Sequence, residues 1–166
     1  MLSSAMIRRD GRGYVLEVED VLDVPIERVA PFFERPENLE AITPPFLAFS
    51  IRTPSPVPMH DGALIDYVVR LHGIPMRWRT RIEDWSPGRA FTDVALRSPY
   101  AYWIHRHEFE PLAGGRTRVT DRVRYAPPLL PLSRPVHALF VRPTLERIFA
   151  FRRGRVRELL AKEARA

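Results

Sequence analysis

With 166 residues, 45% of them hydrophobic, and no cysteine, the chain is expected to form one domain, residues 1–166, without disulfide bonds or thiolate metal sites. No apolar stretch approaches the ~20 residues that span a bilayer, and residues 1–10 lack the apolar segment of a signal peptide, so we expect a cytoplasmic protein without a transmembrane segment. The net charge of +6 alone would suit nucleic-acid binding. However, all 26 basic residues except Lys162 are arginines spread along the chain, and no DNA- or RNA-binding motif accompanies them, so nucleic acid is not the expected partner.

The first elements in chain order are a strand and two short helices. Apolar and polar residues alternate over residues 14–22, which is the period of a strand. Pro25 suits the first turn of a helix, and the apolar residues after it have helical spacing. Pro36 interrupts this helix. A second short helix is predicted over residues 36–41, because Pro44 forbids its continuation.

Six more strands are predicted in the central part of the chain, where period-two alternation is punctuated by proline and glycine turns. Each strand follows the previous one after a short connection, which indicates an antiparallel meander. The connection over residues 54–58 contains three prolines and is expected to be stiff and exposed. The predicted strands are residues 46–53, 63–72, 76–85, 90–97, 103–109 and 116–125.

After residue 127 the apolar period changes to about 3.6, which predicts a long amphipathic C-terminal helix. Pro143 either begins this helix, with residues 135–140 forming a separate turn, or kinks it. The predicted fold is therefore α+β: a curved antiparallel β-sheet of about seven strands wrapped around a long C-terminal helix, with two short helices after strand 1. The helix's apolar stripe contains Leu145, Ile148, Phe149, Val156, Leu159 and Leu160.

The strand over residues 103–109 carries the most informative pattern in the chain. Its alternation places two histidines, His105 and His107, on the same face as Trp103 and Phe109. A buried polar group without a partner costs several kcal/mol, so this mixed face suits the wall of a pocket better than a sealed core.

Several short motifs resemble the START-like superfamily, often called SRPBCC, including bacterial members of the polyketide cyclase/dehydrase-like and ligand-binding kinds. The similar segments lie in order along the chain at residues 23–33, 36–44, 73–78, 82–93 and 103–109, and the resemblance covers about residues 14–160. It implies a helix-grip fold with an apolar cavity between the sheet and the C-terminal helix. In this family such a cavity holds a lipid, polyketide, isoprenoid-like or other hydrophobic molecule.

The predicted meander brings aromatic, histidine and aspartate side chains to one concave face, which is the predicted ligand-binding site. Its aromatic members suit plain core packing as well as a pocket lining. The residues are Tyr67, Trp78, Phe91, Asp93, Trp103, His105, His107, Phe109, Asp121 and Tyr125.

The two histidines of this face admit three interpretations. They could bind a metal with Asp121, but the sequence offers no carboxylate at tight spacing, and we predict neither a metal nor another cofactor. They could move protons, oriented by Asp121 or Asp93. They could also pair with these aspartates across neighbouring strands in a purely structural role. The other three histidines, His60, His72 and His137, are predicted to be exposed in loops or turns.

Binding of a small hydrophobic molecule is the leading functional hypothesis. The first alternative is a cofactor-independent polyketide cyclase or dehydratase whose candidate catalytic residues are His105, His107 and Asp121. The second alternative is a non-catalytic interaction module whose basic outer face docks an acidic protein or a membrane surface. The ligand's identity and the oligomeric state do not follow from the sequence.

Overall fold

Eight strands form one antiparallel sheet in the order β1-β2-β8-β7-β6-β5-β4-β3. The computed structural model describes residues 5–71, 73–127 and 133–163. The strands from β4 to β8 pair with their neighbours in the chain, as the predicted meander requires, and β2 pairs with β8. The strands are β1 Met6–Asp10, β2 Gly13–Leu22, β3 Ser50–Ile51, β4 Leu64–Leu71, β5 Ile74–Ser86, β6 Ala90–Arg97, β7 Tyr102–Leu112 and β8 Arg116–Ala126.

The sheet differs from the prediction at its two edges. The strand β1 was not predicted, because its exposed edge position leaves no strong apolar alternation; it forms a hairpin with β2 through a turn at Gly11, whose φ is +57°. The strand predicted over residues 46–53 shortens to Ser50–Ile51. Its first half is a 3-10 turn, Pro45–Leu47, which ends at Ala48 with a left-handed φ of +39°.

Within the described residues, four α-helices accompany the sheet: α1 Ile26–Phe33, α2 Asn38–Ala41, α3 Ser133–Val136 and α4 Arg142–Glu163. The two short helices after the first long strand are therefore present as predicted. The turn between them is fixed by the Asn38 side chain, whose Nδ2 donates a hydrogen bond to the Phe32 carbonyl at 2.8 Å. Among the described helices, none is both long and apolar enough to cross a membrane.

A π-helical turn, His137–Val141, joins α3 to α4 and accommodates Pro143. A proline lacks an N–H, and its ring disfavours a regular α turn immediately before it. The wider π turn relieves this conflict. Pro143 therefore lies in the first turn of α4, which agrees with one of the two predicted alternatives. The expectation of a separate turn over residues 135–140 is wrong, because helical turns run without interruption from Ser133 to Glu163.

The prediction that His137 is exposed is also wrong. The π turn presses its ring flat against Tyr14, with ring centroids 3.5 Å apart, and His137 Nε2 lies 2.8 Å from the Tyr125 hydroxyl oxygen. His137 is only 4% exposed as a result. His60 is exposed as predicted, whereas His72 lies outside the described residues.

The helix α4 packs its predicted apolar stripe against the concave face of the sheet. Leu145, Phe149, Val156 and Leu160 are all buried there. Polar contacts fix the helix lengthwise: the Arg157 guanidinium donates to the Asp20 carboxylate and the Val21 carbonyl on β2, and Arg28 on α1 donates to the Leu160 carbonyl. The fold is thus an α+β helix grip in which a curved, unclosed sheet holds a long C-terminal helix, as predicted.

Candidate functional site

A cavity between the concave face of the sheet and α4, which we call the main cavity, has a volume of about 120 Å³. Two grooves lined mostly by charged residues are larger, at about 740 and 470 Å³. The strands β4 to β7 form one wall of the main cavity, and the opposite wall consists of α4 with the segment from α2 to β3. Most of the lining is apolar, including Leu39, Leu47, Phe49, Ile65, Val69 and Ile148. Five of the predicted site residues line it: Tyr67, Trp78, Asp93, Trp103 and His105.

Strand register brings these five side chains to one face. Tyr67 on β4 pairs with Trp78 on β5, and Asp93 on β6 pairs with His105 on β7. Side chains of directly paired residues lie on the same face of a sheet, so the alternation along each strand continues across the strands. The predicted concave face therefore arises from four neighbouring strands, with register shifts where β5 pairs with β6.

Aromatic rings form the broadest part of the cavity wall. The Trp78 indole lies at their centre: it stacks on Tyr67 with centroids 5.7 Å apart, and it meets Trp103 edge to face at 5.4 Å. Trp78 is only 7% exposed. Its indole Nε1 is buried and has no hydrogen-bond partner among the described residues.

The other five predicted site residues lie beside the main cavity rather than in its wall. Phe91 and His107 line a small cavity of about 20 Å³, and Asp121 lines another of about the same size. Phe109 and Tyr125 belong to the two clusters of buried apolar side chains between the sheet and the helices. These cavities are large enough for about one water molecule each.

Two histidines and two aspartates form a continuous polar chain across β6, β7 and β8. His105 Nε2 lies 2.9 Å from Asp121 Oδ1, and His107 Nδ1 approaches the same oxygen to 2.8 Å. The second of these is a charge contact without good hydrogen-bond alignment. The other nitrogen of His107, Nε2, lies 3.1 Å from Asp93 Oδ2. His107 therefore has a carboxylate beside each of its ring nitrogens.

This arrangement gives the two histidines opposite charge states. Burial alone would lower the pKa of His107, but the carboxylates of Asp121 and Asp93 raise this pKa to about 9. Burial and the neighbouring His107 charge lower the pKa of His105 to about 4, despite its hydrogen bond to Asp121. Near neutral pH, His107 is therefore an imidazolium and His105 is neutral.

Asp121 stays ionised at the centre of the chain. Burial would raise its pKa, yet the hydrogen bond from His105 and the close charge contact with His107 hold this pKa well below its usual range. Because Asp121 accepts from His105 Nε2, the neutral His105 ring carries its proton on that nitrogen. The other nitrogen, Nδ1, keeps its lone pair.

Arg152 is a cavity residue that the sequence analysis missed. It extends from α4 into the space between the sheet and the helix and lines the main cavity as well as both small ones. Its guanidinium carbon lies 5.2 Å from the centroid of the Phe149 ring. A signal was present in the sequence: Arg152 follows Phe149 by three residues and precedes Val156 by four, so it shares their helix face.

Asp93, His105 and His107 can each offer one metal-ligand atom, and these atoms lie within 4.8 Å of one another. Two imidazoles and a carboxylate form a set that Zn²⁺ accepts. A metal ligand needs a free lone pair, however, and the imidazolium His107 has none until it loses a proton. Metal binding by these residues would therefore release the His107 proton, and the absence of a metal remains a prediction.

Neither a family model nor a curated protein matches this sequence, but solved structures do match the fold. Protein Ms6760 from Mycobacterium smegmatis aligns with 97% of this chain and 99% of its own, at 15% identity and a TM-score of 0.69. A START superfamily protein from the same organism aligns with 87% of this chain and 98% of its own, at 14% identity and a TM-score of 0.65. The chain has a START-like helix-grip fold.

A similar region occurs inside a longer protein. The nucleoside-diphosphate sugar epimerase from Corynebacterium glutamicum aligns with 90% of this START-like chain at 24% identity and a TM-score of 0.64, but only 30% of the epimerase chain is covered. At these identities the likeness shows the fold alone. The predicted START-like resemblance is therefore confirmed as a fold, and the activity has to be argued from the cavity.

Proposed function

We propose that this START-like protein binds a small, mainly apolar molecule in the main cavity. The observation that carries the proposal is the cavity itself: about 120 Å³ of space with aromatic and aliphatic walls and a few polar groups. Ligand sites generally have this composition, in which apolar walls supply affinity and few polar atoms fix orientation. A general ligand-binding role also agrees with the START-like fold.

The volume favours a compact occupant. A cavity of about 150 Å³ accommodates benzene, whereas sites for drug-sized molecules measure about 300–1,000 Å³. The main cavity is not fully enclosed, so it suits one ring inside it with a second ring at its opening, or a short isoprenoid-like chain. A long acyl chain or an extended polyketide would require its walls to move apart.

Apolar contact alone gives such a ligand little net affinity. Burying about 200 Å² of its apolar surface contributes roughly 5 kcal/mol at about 25 cal/mol per Å². The loss of translational and rotational freedom costs at least about 4 kcal/mol, which nearly cancels that gain. Useful affinity therefore requires polar contacts as well, and the polar groups of the cavity wall become important for selecting the ligand.

Titration with 2-naphthol, a neutral fluorescent molecule of two rings, tests the proposal. Val69 is buried and lines the cavity, so Val69→Phe fills part of the space and is expected to weaken binding at least tenfold. Ile74→Phe makes a similar enlargement at an exposed position away from the main cavity and should leave binding unchanged. Equal affinities of the wild type and Val69→Phe would contradict the proposal.

An acid–base enzyme is a second candidate function, favoured by the contact between His105 and Asp121. A neutral imidazole that is oriented by a carboxylate and lines a cavity can accept a proton from a bound molecule. The low pKa of His105, about 4, makes it a weak base, so simple binding is better supported. Proton NMR in D₂O of 2-tetralone, a compact ketone, separates the two functions: an enzyme would accelerate exchange at the carbons beside the carbonyl, and His105→Gln would abolish the acceleration.

A further inference from the structure

Two hydrogen-bond donors in the wall of the main cavity have no partner among the described residues: Trp78 Nε1 and Arg152 Nε. Both nitrogens are buried from solvent. A buried donor without an acceptor costs roughly 1–3 kcal/mol, and more when the group is charged. A ligand that supplies acceptor atoms to this wall would recover that free energy.

Arg152 also lacks a counter-ion. Among the described residues, no carboxylate oxygen lies within 4.0 Å of its guanidinium nitrogens. By contrast, Arg157, five residues further along α4, neutralises its charge by pairing with the Asp20 carboxylate. Arg152 is thus a half-buried cation without an ion-pair partner in the described part of the chain.

The nearby carboxylates are already engaged. Asp93 Oδ2 lies 3.1 Å from His107 Nε2, and Asp121 Oδ1 lies within 2.9 Å of both histidines. These contacts tie both aspartates to the β7 histidines rather than to α4. The contact of the Arg152 guanidinium with the Phe149 ring further holds the cation at the cavity wall.

We propose that the ligand of the main cavity is a small aromatic or aliphatic carboxylic acid, whose carboxylate pairs with Arg152 and whose apolar body packs among the aromatic rings. The inference rests on the proposed binding function and adds the chemical class of the ligand. A guanidinium presents parallel N–H donors that match the two oxygens of a carboxylate. The Trp78 indole offers a further donor to an acceptor atom elsewhere on the ligand.

The test compares 2-naphthoate with its neutral isostere 2-naphthamide by isothermal titration calorimetry at pH 7. We expect the wild type to bind the naphthoate at least tenfold more tightly. In Arg152→Gln this preference should disappear, through a loss of naphthoate affinity and not through a gain of naphthamide affinity. Arg152→Lys keeps the positive charge without the planar fork and should retain part of the preference.

Arg147→Gln is the matched control, because it removes one exposed arginine from the same helix and lowers the net charge equally. It should leave the preference for naphthoate intact. Thermal unfolding of each variant establishes that it is folded. Equal binding of both compounds by the wild type, or an unchanged preference in Arg152→Gln, would overturn the carboxylate assignment alone. Binding of neither compound would overturn the proposed binding function together with it.

Discussion

The Asp121 carboxylate lies 2.8 Å from Nδ1 of His107, and both residues are less than 10% exposed. Because Asp93 faces the other nitrogen of the same ring, His107 is a buried cation between two anions. The three residues lie on β8, β7 and β6, so their charges link three neighbouring strands behind the main cavity. His105, the fourth member, lines the main cavity together with Asp93.

Replacing His107 with leucine should strongly destabilise the protein. The substitution keeps a similar volume but leaves the buried Asp121 carboxylate and the half-buried Asp93 carboxylate without their cation. Losing one partner of a buried ion pair typically costs about 3–5 kcal/mol. Urea denaturation measures the effect. His60→Leu, at an exposed position, should change stability by less than about 0.5 kcal/mol. A decrease in the free energy of unfolding below about 1 kcal/mol for His107→Leu would contradict the role of His107 as the cation of a buried ion-pair network.

Stability should be greatest near pH 6.5 and fall on both sides. The folded-state pKa of His107, about 9, exceeds the ordinary value of 6.5, so its contribution is complete below pH 6.5 and is lost as the pH rises through about 9. The folded-state pKa of His105, about 4, lies below the ordinary value of 6.5. As the pH falls from 6.5 to about 4, this imidazole is protonated in the unfolded chain but not yet in the folded protein, so the folded state loses stability.

Urea unfolding between pH 4.5 and 9.5 measures this profile. Each limb should amount to no more than about 3 kcal/mol, because one pKa unit corresponds to about 1.4 kcal/mol. His107→Leu removes the group responsible for the alkaline limb, so the decline above pH 6.5 should flatten in that variant. If the decline persists in full, another group causes it.

Strands and site residues that follow the period-two alternation could be predicted from the sequence. Features that depend on a single turn or on a charged residue within an apolar face could not. Regular alternation placed His105, His107 and Asp121 on one face of adjacent strands, where Asp121 lies opposite His107 and contacts both histidines. Arg152 was missed because a charged residue in a helix is usually expected to be exposed. Its place on the apolar face follows only from its spacing of three and four residues to Phe149 and Val156. His137 was missed because its burial depends on a π turn, which leaves no periodic signal.

Gly13 should not tolerate a larger side chain. A Cβ added there would collide with the Tyr102 hydroxyl and the Tyr125 carbonyl oxygen, and the backbone carbonyl belongs to the sheet and cannot easily move. We expect Gly13→Ala to lower the free energy of unfolding by about 2 kcal/mol or more. Gly154→Ala is the matched control, since this helical position is open and alanine should stabilise it by about 1 kcal/mol. Equal changes in both variants, measured by urea denaturation, would contradict the described packing at Gly13.

His137→Ala should destabilise the junction between the sheet and the C-terminal helix. The substitution removes the ring stacked on Tyr14 and leaves the buried Tyr125 hydroxyl without its partner. A loss of about 2–4 kcal/mol is expected from the combined packing and hydrogen-bond effects. Thermal unfolding should show a clear decrease in Tm. Tyr125→Phe, which removes only the hydroxyl, should have a smaller effect, and the reverse order would show that the hydrogen bond outweighs the stacking.

The most direct test of binding in the main cavity is an NMR titration that follows the indole N–H signals of ¹⁵N-labelled tryptophan. Trp78 and Trp103 line the cavity, whereas Trp85 does not. Addition of 2-naphthoate or 2-naphthamide should shift the Trp78 and Trp103 signals saturably and leave the Trp85 signal in place, and the shifts should be lost in Val69→Phe. Saturable binding of either compound with unshifted Trp78 and Trp103 signals would show that the ligand occupies another site and would contradict the account.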